Sequence, residues 1–446
     1  MIAPARIAFL LLLLFPQDAA WKAGFASVRI TPASPIPLAG YAGRSAPFEG
    51  VAHELYVKAL ALEDAGGRRA LLVTADHIGW GAEISVPLAD ELVRRTGLKR
   101  DAILLNASHT HSGPRLTLTP GARSGVTEED AAAGVAYTKG LQEKTVEAAR
   151  NAVADLSPAR LSWGKGTAGF VANRRERTER GIVLGVNPDG PVDRSVPVLR
   201  VDALDGRLRG IVFGAACHNT TLTSKNLQVS GDYAGVAQAW LESKQEGCTA
   251  MFVLGCGGDA NPNPRGTMEL AARHGEDLAR EVWRVAQEEK RPAVSGPLST
   301  ALASVDLPFK TFERPDLEKI AGAPGPLAAT AKQMVEFLDA GARLPARYRA
   351  PVAVWRFGRD LTLVGLPGET VVDYALAVEK LADPARLWVA GYCNDKIGYL
   401  PSRRVAEEGG YEAQGLTKGF GGPGFFSPQA EDAVLDAVKE LLRRPP

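Results

Sequence analysis

The chain has 446 residues, of which 45% are hydrophobic and 23% are charged. This composition is typical of a globular protein and excludes collagen, a coiled coil or a largely disordered chain. Lysine and arginine (52) nearly balance aspartate and glutamate (51), without a basic stripe, so nucleic acid is excluded as the expected partner.

The first twenty residues have the pattern of a secretory signal. Arg6 precedes an unbroken apolar run, Ile7–Phe15, and the small residues Ala19–Ala20 follow. The run is shorter than the roughly 20 residues that span a bilayer. We therefore expect residues 1–20 to be a signal peptide and residues 21–446 to be exported, either periplasmic or secreted. An uncleaved membrane anchor is the alternative, and no later segment of the sequence is long and apolar enough to cross a membrane.

Apolar runs alternate with amphipathic helical patterns, which favours an α/β fold. The predicted strands are Ala70–Ala75, Ile103–Ala107, Ile211–Ala216, Ala250–Leu254, Leu361–Leu366 and Leu387–Ala390. The predicted helices are 138–156, 234–245, 268–289, 371–381 and 431–443. No low-complexity linker divides the chain, so we expect one large domain at 21–446.

Polar or glycine-rich residues come immediately after four of the predicted strands, following residues 107, 216, 254 and 366. In open α/β sheets, ligands bind beyond the carboxyl ends of the strands. The sequence therefore predicts one shared site at which these four strand ends meet.

Two histidines, His109 and His111, follow the second predicted strand. At a spacing of two on an extended segment, both imidazoles point to one face and can present nitrogen to a metal. Two solvated histidines are the alternative. A metallo-β-lactamase site would need HxHxDH, which Ser112–Pro114 does not supply. An amidohydrolase barrel needs a lysine, two more histidines and an aspartate in series, and of the downstream histidines, His218 and His274, the second lies in a helical pattern.

Three further motifs stand at strand ends. His218 follows directly on an apolar run that we expect to be a buried strand. It could be a metal ligand or a hydrogen-bonded core histidine. Glu369 follows a strand and could ligate a metal, act as a base or cap the next helix. Gly255–Ala260 fits a dinucleotide-binding turn, but the prolines of Asn261–Pro264 prevent the required helix start. We expect this loop to be tight backbone close to a ligand.

The four cysteines are too widely spaced for a zinc site of the CxxC type, and they could form disulfides in an exported protein or remain buried thiols. They are Cys217, Cys248, Cys256 and Cys393.

Taken together, the motifs resemble the neutral/alkaline ceramidase family, and they are spread over most of residues 21–446. The matching segments are Ile30-Thr31-Pro32, Leu38–Tyr41, Ser108–Pro114, Asn173-Arg174, His218, Gly258–Asn263, Pro367–Glu369, Gly398-Tyr399 and Gly410–Glu412. The resemblance implies layered mixed β-sheets flanked by helices, in a single catalytic domain. It also implies hydrolysis of the N-acyl bond of ceramide, a sphingolipid, with one zinc ion per chain.

The resemblance also implies roles for individual residues. His109, His218, Glu369 and Tyr399 are the expected zinc ligands. His111, Arg174 and Tyr411 are expected to handle protons and the acyl oxygen. A zinc ion held this way would lower the pKa of a water molecule that attacks the amide, and would polarise the amide carbonyl.

Two features depart from the family pattern. Asn261 stands where the family carries a serine held to be catalytic, and an amide can donate a hydrogen bond but cannot act as a nucleophile. The chain also ends soon after the tyrosine motif, which indicates a short, bacterial-type homologue without the family's C-terminal β-sandwich domain.

The lead hypothesis is an exported zinc amidase with a small-molecule or lipid N-acyl substrate. Asn261 would then contribute a hydrogen bond at the active site. A metal-dependent esterase on the same scaffold and a non-catalytic protein that binds zinc or lipid are the alternatives. Manganese, cobalt or nickel also suit such ligands, and the oligomeric state is left open.

Overall fold

The computed structural model describes residues 21–119, 126–416 and 422–444, so the predicted signal at 1–20 lies outside the described residues. The strands of the described residues are β1 (Trp21–Arg29), β2 (Gly50–Val51), β3 (Tyr56–Asp64), β4 (Arg69–Ala75), β5 (Ile103–Ala107), β6 (Ser157–Thr167), β7 (Val171–Thr178), β8 (Gly181–Asn187), β9 (Ser195–Ala203), β10 (Leu208–Ala215), β11 (Gln228–Val229), β12 (Thr249–Leu254), β13 (Ala260–Pro262), β14 (Ala293–Val294), β15 (Leu298–Pro308), β16 (Arg347–Phe357), β17 (Leu361–Gly365), β18 (Glu369–Thr370), β19 (Leu387–Ala390) and β20 (Tyr399–Leu400). The helices are α1 (Ala82–Thr96), α2 (Glu128–Ala154), α3 (Asp232–Glu242), α4 (Met268–Ala286), α5 (Arg314–Gly322), α6 (Ala328–Asp339), α7 (Val372–Val378), α8 (Arg403–Glu408) and α9 (Gln429–Arg443).

The largest sheet has nine strands in the order β12-β10-β9-β6-β1-β3-β4-β5, with β14 beside β6. Its two edge strands come together, because Asn106 of β5 accepts a hydrogen bond from the Leu254 amide of β12 at 2.9 Å. Asn106 also donates to the Gly391 carbonyl, just beyond β19, at 2.8 Å. The sheet is therefore strongly curved, and one buried amide ties its edges to the second sheet.

The second sheet has four strands in the order β15-β16-β17-β19, and it shares one buried core with the large sheet. Trp21 and Leu104 of the large sheet belong to the same cluster as Trp355 and Trp388 of the small one. Helices α1 to α4 pack against the other face of the large sheet, and α7 and α9 pack against the small sheet. The predicted fold, layered mixed β-sheets flanked by helices in one domain, is confirmed.

The six predicted strands all occur, and they are the members of three parallel pairs: β4 with β5, β10 with β12, and β17 with β19. Strands of parallel pairs are buried on both faces and therefore read as continuous apolar runs. Long antiparallel strands such as β1 and β6 mix buried with more exposed residues, and the prediction missed them.

The four cysteines are buried free thiols. No helix in the described part of the chain is long and apolar enough to cross a membrane.

Candidate functional site

Side chains from several strand ends converge on one buried centre. The Nε2 atoms of His109 and His218 lie 3.3 Å and 3.2 Å from the same carboxylate oxygen, Oε2 of Glu369. The Nε2 atom of His111 lies 3.1 Å from that of His109. The phenol oxygen of Tyr399 lies 3.4 Å from Nε2 of His218. Three imidazoles, a carboxylate and a phenol thus meet where the sequence predicted one shared site.

Main-chain carbonyls determine which ring nitrogen carries the proton in two of these imidazoles. His109 Nδ1 lies 2.6 Å from the Ile78 carbonyl, and His218 Nδ1 lies 2.7 Å from the Gly257 carbonyl. A carbonyl only accepts, so each Nδ1 carries the proton and each Nε2 turns a lone pair toward Glu369. Burial lowers the pKa of His218 to about 3, so this ring is neutral at physiological pH. Lone pairs that face a carboxylate repel it unless a cation lies between them, so the donors fit a metal ion.

Pairing of β18 with β20 positions the two oxygen donors. Glu369 and Tyr399 are register partners, and the Glu369 amide donates to the Gly398 carbonyl at 2.7 Å. Burial would raise the pKa of Glu369, but the positive charge around it, that of Lys396 included, holds it well below its usual value. Nζ of Lys396 lies 3.7 Å from Oε1 of Glu369. The site therefore presents an ionised carboxylate to its centre.

His111 is placed differently from the other two imidazoles. Its Nδ1 atom is buried and has no hydrogen-bond partner among the described residues. The ring packs edge-on against Tyr41, with 4.9 Å between ring centres. Its other side lies against Gly40, where φ is 94° and an added Cβ would overlap the ring. Packing, rather than a hydrogen bond to the main chain, therefore holds His111.

The local backbone differs from the extended segment that the sequence predicted. Strand β5 ends at Ala107, and His109 has a left-handed conformation with a φ of 59°. A residue with a side chain rarely adopts this conformation, and it is found mainly where the surrounding structure enforces it. His109 and His111 reach the same centre through this turn.

The centre offers more donors than a four-coordinate metal needs. Nitrogen atoms of His109, His111 and His218 all lie within 4.8 Å of one another, and these three residues alone could hold a metal ion. Glu369 and Tyr399 add two oxygen donors. One group can therefore remain free to move protons beside a fully bound metal.

Arg174 joins the centre to a neighbouring ion-pair network. It donates to Tyr399 Oη at 2.9 Å, to Glu412 Oε1 at 2.8 Å and to Asn261 Oδ1 at 3.3 Å. Burial would lower the pKa of Arg174, but Tyr399 and Glu412 raise it well above its usual value. Arg175 also binds Glu412, at 2.6 Å. Arg174 is therefore a permanent, tightly oriented cation beside the phenol.

A cavity of about 390 Å³ opens onto this centre. It is lined by five of the eight predicted site residues, namely His111, Arg174, Asn261, Tyr399 and Tyr411. Asn261 Oδ1 accepts hydrogen bonds from Arg174 and, at 3.1 Å, from Thr220. This leaves the Nδ2 group of Asn261 as the donor available to a ligand. The other three predicted residues, His109, His218 and Glu369, lie deeper, at the centre itself.

The glycine-rich loop after β12 has another role than expected. We expected its backbone to pass close to a ligand. Instead, an added Cβ at Gly257 would meet the backbone of Cys217, and one at Gly258 would meet the backbone of Glu369. The glycines therefore allow three chain segments to pack around the centre.

The sequence interpretation missed several residues of the site. Lys396 beside Glu369, and Tyr41 and Arg265 on the cavity wall, were not singled out for chemistry. Tyr41 stands in a segment that carried the family resemblance, so that segment could have pointed to it. No local signal marks Lys396 or Arg265.

Comparison with known proteins identifies similar sequences. The family model described as neutral/alkaline non-lysosomal ceramidase, N-terminal, matches residues 21–296, more than half of the chain. The neutral ceramidase of Pseudomonas aeruginosa is 27% identical over 269 residues, which cover 55% of this chain and 38% of that protein. Neutral ceramidase A of Dictyostelium discoideum is 24% identical over 274 residues, 56% of this chain and 37% of that protein. The matches thus span less than two fifths of these two relatives.

A longer match and two solved structures extend the similarity. The neutral ceramidase of Mycobacterium tuberculosis is 24% identical over 500 residues, covering 90% of this chain and 73% of that protein. The structure titled "Ceramidase complexed with C2" superimposes with a TM-score of 0.72 at 20% identity, over 95% of this chain and 75% of that one. The crystal structure of the Pseudomonas aeruginosa enzyme gives a TM-score of 0.69 at 21% identity, over 95% of this chain and 74% of that one. At such identities the two structures establish a shared fold.

Proposed function

Because this chain belongs to the neutral/alkaline non-lysosomal ceramidase family, we propose that it is a zinc-dependent hydrolase of N-acyl amides. One observation carries the proposal beyond family membership. Two imidazoles with anchored Nδ1 protons turn their Nε2 lone pairs toward one ionised carboxylate, which is a donor set suited to a divalent metal.

We assign the metal ligands to His109, His218, Glu369 and Tyr399. The carbonyl-anchored Nδ1 atoms of the two histidines and the register pairing of Glu369 with Tyr399 support this set. When bound, a zinc ion at this centre would supply an acidified water and polarise the amide carbonyl. Imidazole nitrogen with oxygen donors also suits other divalent metals, so metal analysis belongs to the test.

His111 is the proposed proton carrier. Burial and the neighbouring imidazoles hold the pKa of His111 well below its usual value, so the ring is neutral and able to accept a proton. Its Nδ1 atom has no partner among the described residues, and its side chain lines the cavity. A base in this position can take a proton as the amide is attacked and deliver it to the departing amine.

Arg174, Tyr411 and Asn261 surround the place where the acyl oxygen would lie. Burial raises the pKa of Tyr411, so it remains a phenol that can donate a hydrogen bond. Arg174 contributes a fixed positive charge, and Asn261 contributes its Nδ2 group. Donors held in advance around a developing oxyanion stabilise the transition state of acyl transfer.

An apolar wall supports an acyl substrate. Leu184 and Val186 of β8 line the cavity, yet they are 52% and 46% exposed in the free protein. A fatty acyl chain laid along this strand would remove that surface from water. A ceramide-like lipid or a smaller N-acyl compound is therefore the proposed substrate class.

Asn261 favours a second candidate, a protein that binds zinc or lipid without turnover. The family's serine is absent at this position, so no hydroxyl nucleophile is available there. The neutral His111, whose Nδ1 atom has no partner among the described residues, and the oriented Arg174 oppose this reading, because binding alone requires neither. An esterase on the same scaffold would use the same side chains to cleave an ester, whose alcohol is a better leaving group than the amine of an amide.

The test is hydrolysis of a panel of N-acyl amides and matched esters, including a ceramide, by the zinc-loaded protein with and without chelator. We expect amide cleavage that chelation abolishes and added zinc restores. Cleavage of esters alone would replace the amidase by the esterase. One bound zinc per chain with no cleavage of any compound would favour the binding protein.

Asn261→Ser tests the alignment of the loop. The hydroxyl would restore the family's group beside Arg174, so we expect a gain in ceramide cleavage relative to other amides. Unchanged rate and substrate preference would show that this position does not correspond to the family's serine.

We also propose that the protein is exported through residues 1–20. The pattern of a basic residue, a short apolar run and small residues supports this. N-terminal sequencing of the exported protein should begin near residue 21, and a full-length chain retained in the membrane would favour the anchor instead.

A further inference from the structure

The cavity carries a positive charge that the proposed reaction does not use. Arg265 lines the cavity wall, and its Nη2 donates to Tyr41 Oη at 3.0 Å. Its Nε atom is enclosed without a hydrogen-bond partner, and no carboxylate of the described residues forms an ion pair with it. Arg174, on the same cavity, differs because it forms an ion pair with Glu412 at 2.8 Å.

The backbone around Arg265 is held on both sides. The Asn263 amide donates to the Phe170 carbonyl at 2.9 Å, and the Gly266 amide donates to the Thr221 carbonyl at 2.8 Å. His274 Nε2 lies 2.7 Å from the Pro264 carbonyl. The guanidinium is therefore presented from a fixed loop, so it can bind a ligand group without ordering that loop first.

The surroundings of Arg265 add positive charge. The Arg44 guanidinium lies 5.1 Å from the centre of the Tyr41 ring, and its hydrogen bonds go to the carbonyls of Ala39, His111 and Asn226. Burial lowers the pKa of Arg44 to about 10, which leaves it protonated at neutral pH. Neither Asp nor Glu is among the described residues that line the cavity.

Asp232, the acidic side chain that acts on Tyr41 among the described residues, is already engaged. Asp232 accepts hydrogen bonds from the amides of Leu222 and Tyr233, at 2.8 Å and 2.7 Å. Burial raises the pKa of Asp232, and amide donors already occupy both of its carboxylate oxygens. The wall around Tyr41 thus has a positive potential that favours an anion in the cavity.

We propose that Arg265 binds a carboxylate of the substrate, so that this enzyme prefers anionic N-acyl compounds, such as N-acyl amino acids, over neutral ceramides. A guanidinium matches a carboxylate with two parallel hydrogen bonds, and a neutral amide would leave it without a counter-charge. Tyr41 contacts both Arg265 and His111, so the anion site is one side chain away from the proposed proton carrier. The inference rests on the proposed amide hydrolysis.

The test compares four octanoyl amides on the zinc-loaded protein. Octanoylglycine and octanoyl-γ-aminobutyrate carry the carboxylate at two distances from the amide, octanoylphosphoethanolamine carries a phosphate, and octanoylethanolamine is neutral. The variants are Arg265→Gln, Arg265→Lys and, as a charge-matched control, Arg207→Gln on the exposed turn between β9 and β10. Arg207 is 71% exposed and pairs only with Asp205 at 2.9 Å among the described ion pairs.

We expect Arg265→Gln to lower kcat/KM for one or both carboxylates by about 100-fold, from the loss of a paired, charge-assisted contact. The neutral amide should change by less than about threefold, and Arg265→Lys should retain part of the preference because it keeps the charge without the planar fork. Arg207→Gln should leave all four rates unchanged. Equal losses for the neutral and anionic amides would overturn the proposal, and so would a loss confined to the phosphate compound.

Binding separates this proposal from the proposed catalysis. Calorimetric titration of octanoylglycine and octanoylethanolamine needs no turnover, and thermal melting confirms that each variant is folded. If no amide is hydrolysed, tighter binding of octanoylglycine that Arg265→Gln alone removes would still support the carboxylate site. Equal affinity of the two compounds for the unmodified protein would overturn it.

Discussion

At the scale of single residues, hydrogen bonding at Nδ1 distinguishes the three histidines of the centre. His109 and His218 each give an Nδ1 proton to a main-chain carbonyl, whereas His111 has no such partner among the described residues. A metal ligand gains from a fixed tautomer, while a proton carrier must change its protonation during the reaction. Hydrogen bonding thus divides one residue type within one cluster in the way that the two proposed tasks require.

The first prediction separates these two tasks. His111→Ala should retain about one zinc per chain and lower kcat by roughly 100- to 10,000-fold, the usual contribution of a general base. His218→Ala should lose the zinc as well as the activity, because an anchored ligand is gone. Metal analysis of both purified variants alongside kcat is the measurement. Loss of zinc in His111→Ala would move His111 into the ligand set.

The second prediction concerns the packing of His111. Gly40 has a φ of 94° and its missing Cβ faces the His111 ring, whereas Gly43 has open space around the same position. Gly40→Ala should therefore displace the ring and lower kcat by at least about tenfold, since misplacement by about 1 Å can reduce rates 100-fold. Gly43→Ala is the matched control and should keep full activity. Equal rates for the two variants would show that the ring position is not critical.

At the scale of elements, one hairpin supplies both polar and apolar parts of the cavity. Strand β7 carries Arg174 and pairs with β13, which carries Asn261. Strand β8 of the same hairpin carries the exposed Leu184 and Val186, with Val183 on its other face. The alternation of a β-strand thus places an apolar edge directly beside the proposed oxyanion donors.

The third prediction tests this apolar edge. Leu184→Ser should raise KM for a dodecanoyl amide by about 5- to 20-fold, from the loss of buried apolar contact with the chain. An acetyl amide is too short to benefit and should be unaffected. Val183 is 39% exposed but does not line the cavity, so Val183→Ser is the control. An equal effect on acetyl and dodecanoyl amides would place the acyl chain elsewhere.

At the scale of the whole molecule, the centre lies where the two main sheets meet. Asp259, between β12 and β13, helps to hold this junction, because its carboxylate accepts from the Val372 amide at 2.8 Å and its carbonyl accepts from the Arg174 amide at 2.9 Å. Burial raises the pKa of Asp259 to about 7. An aspartate of the unfolded chain titrates near pKa 3.9, so folding takes up a proton between these two values.

The fourth prediction follows from this difference. The folded state binds more protons than the unfolded state between about pH 4 and pH 7, so the contribution of Asp259 to stability decreases as the pH rises through that window. In Asp259→Asn, the free energy of unfolding should decrease less steeply with pH than in the unmodified protein. The two slopes should differ by up to about 1.4 kcal/mol per pH unit. Urea denaturation of the zinc-loaded protein from pH 5 to pH 8 is the measurement.

The control for this comparison is Asp205→Asn. Asp205 lies on an exposed turn, and hydrogen bonds from Arg207 lower its pKa, so it is ionised throughout this range. The free energy of unfolding of Asp205→Asn should therefore change with pH in parallel with that of the unmodified protein. A parallel curve for Asp259→Asn as well would show that Asp259 does not take up a proton on folding.

The sequence alone predicted the elements whose signals are local. The six strands of three parallel pairs were found because burial on both faces produces continuous apolar runs. Helices α4 and α9 were found because one face of each is apolar. Helix α2 begins ten residues before its predicted start, where Thr127 caps it by accepting from the Asp130 amide. The His109, His218 and Glu369 motifs were recognisable because each follows directly on a strand.

Only the tertiary structure decided which of these groups touch and which charges remain unpaired. Arg265 meets Tyr41 across 224 positions of sequence, and Arg174 meets Glu412 across 238. Whether a guanidinium has a counter-charge depends on which distant segments fold against it, and no local pattern encodes that. Periodicity and chain order therefore determined six strands and the candidate metal-binding motifs, whereas long-range packing decided the hydrogen bonding of each histidine and the charge of the cavity.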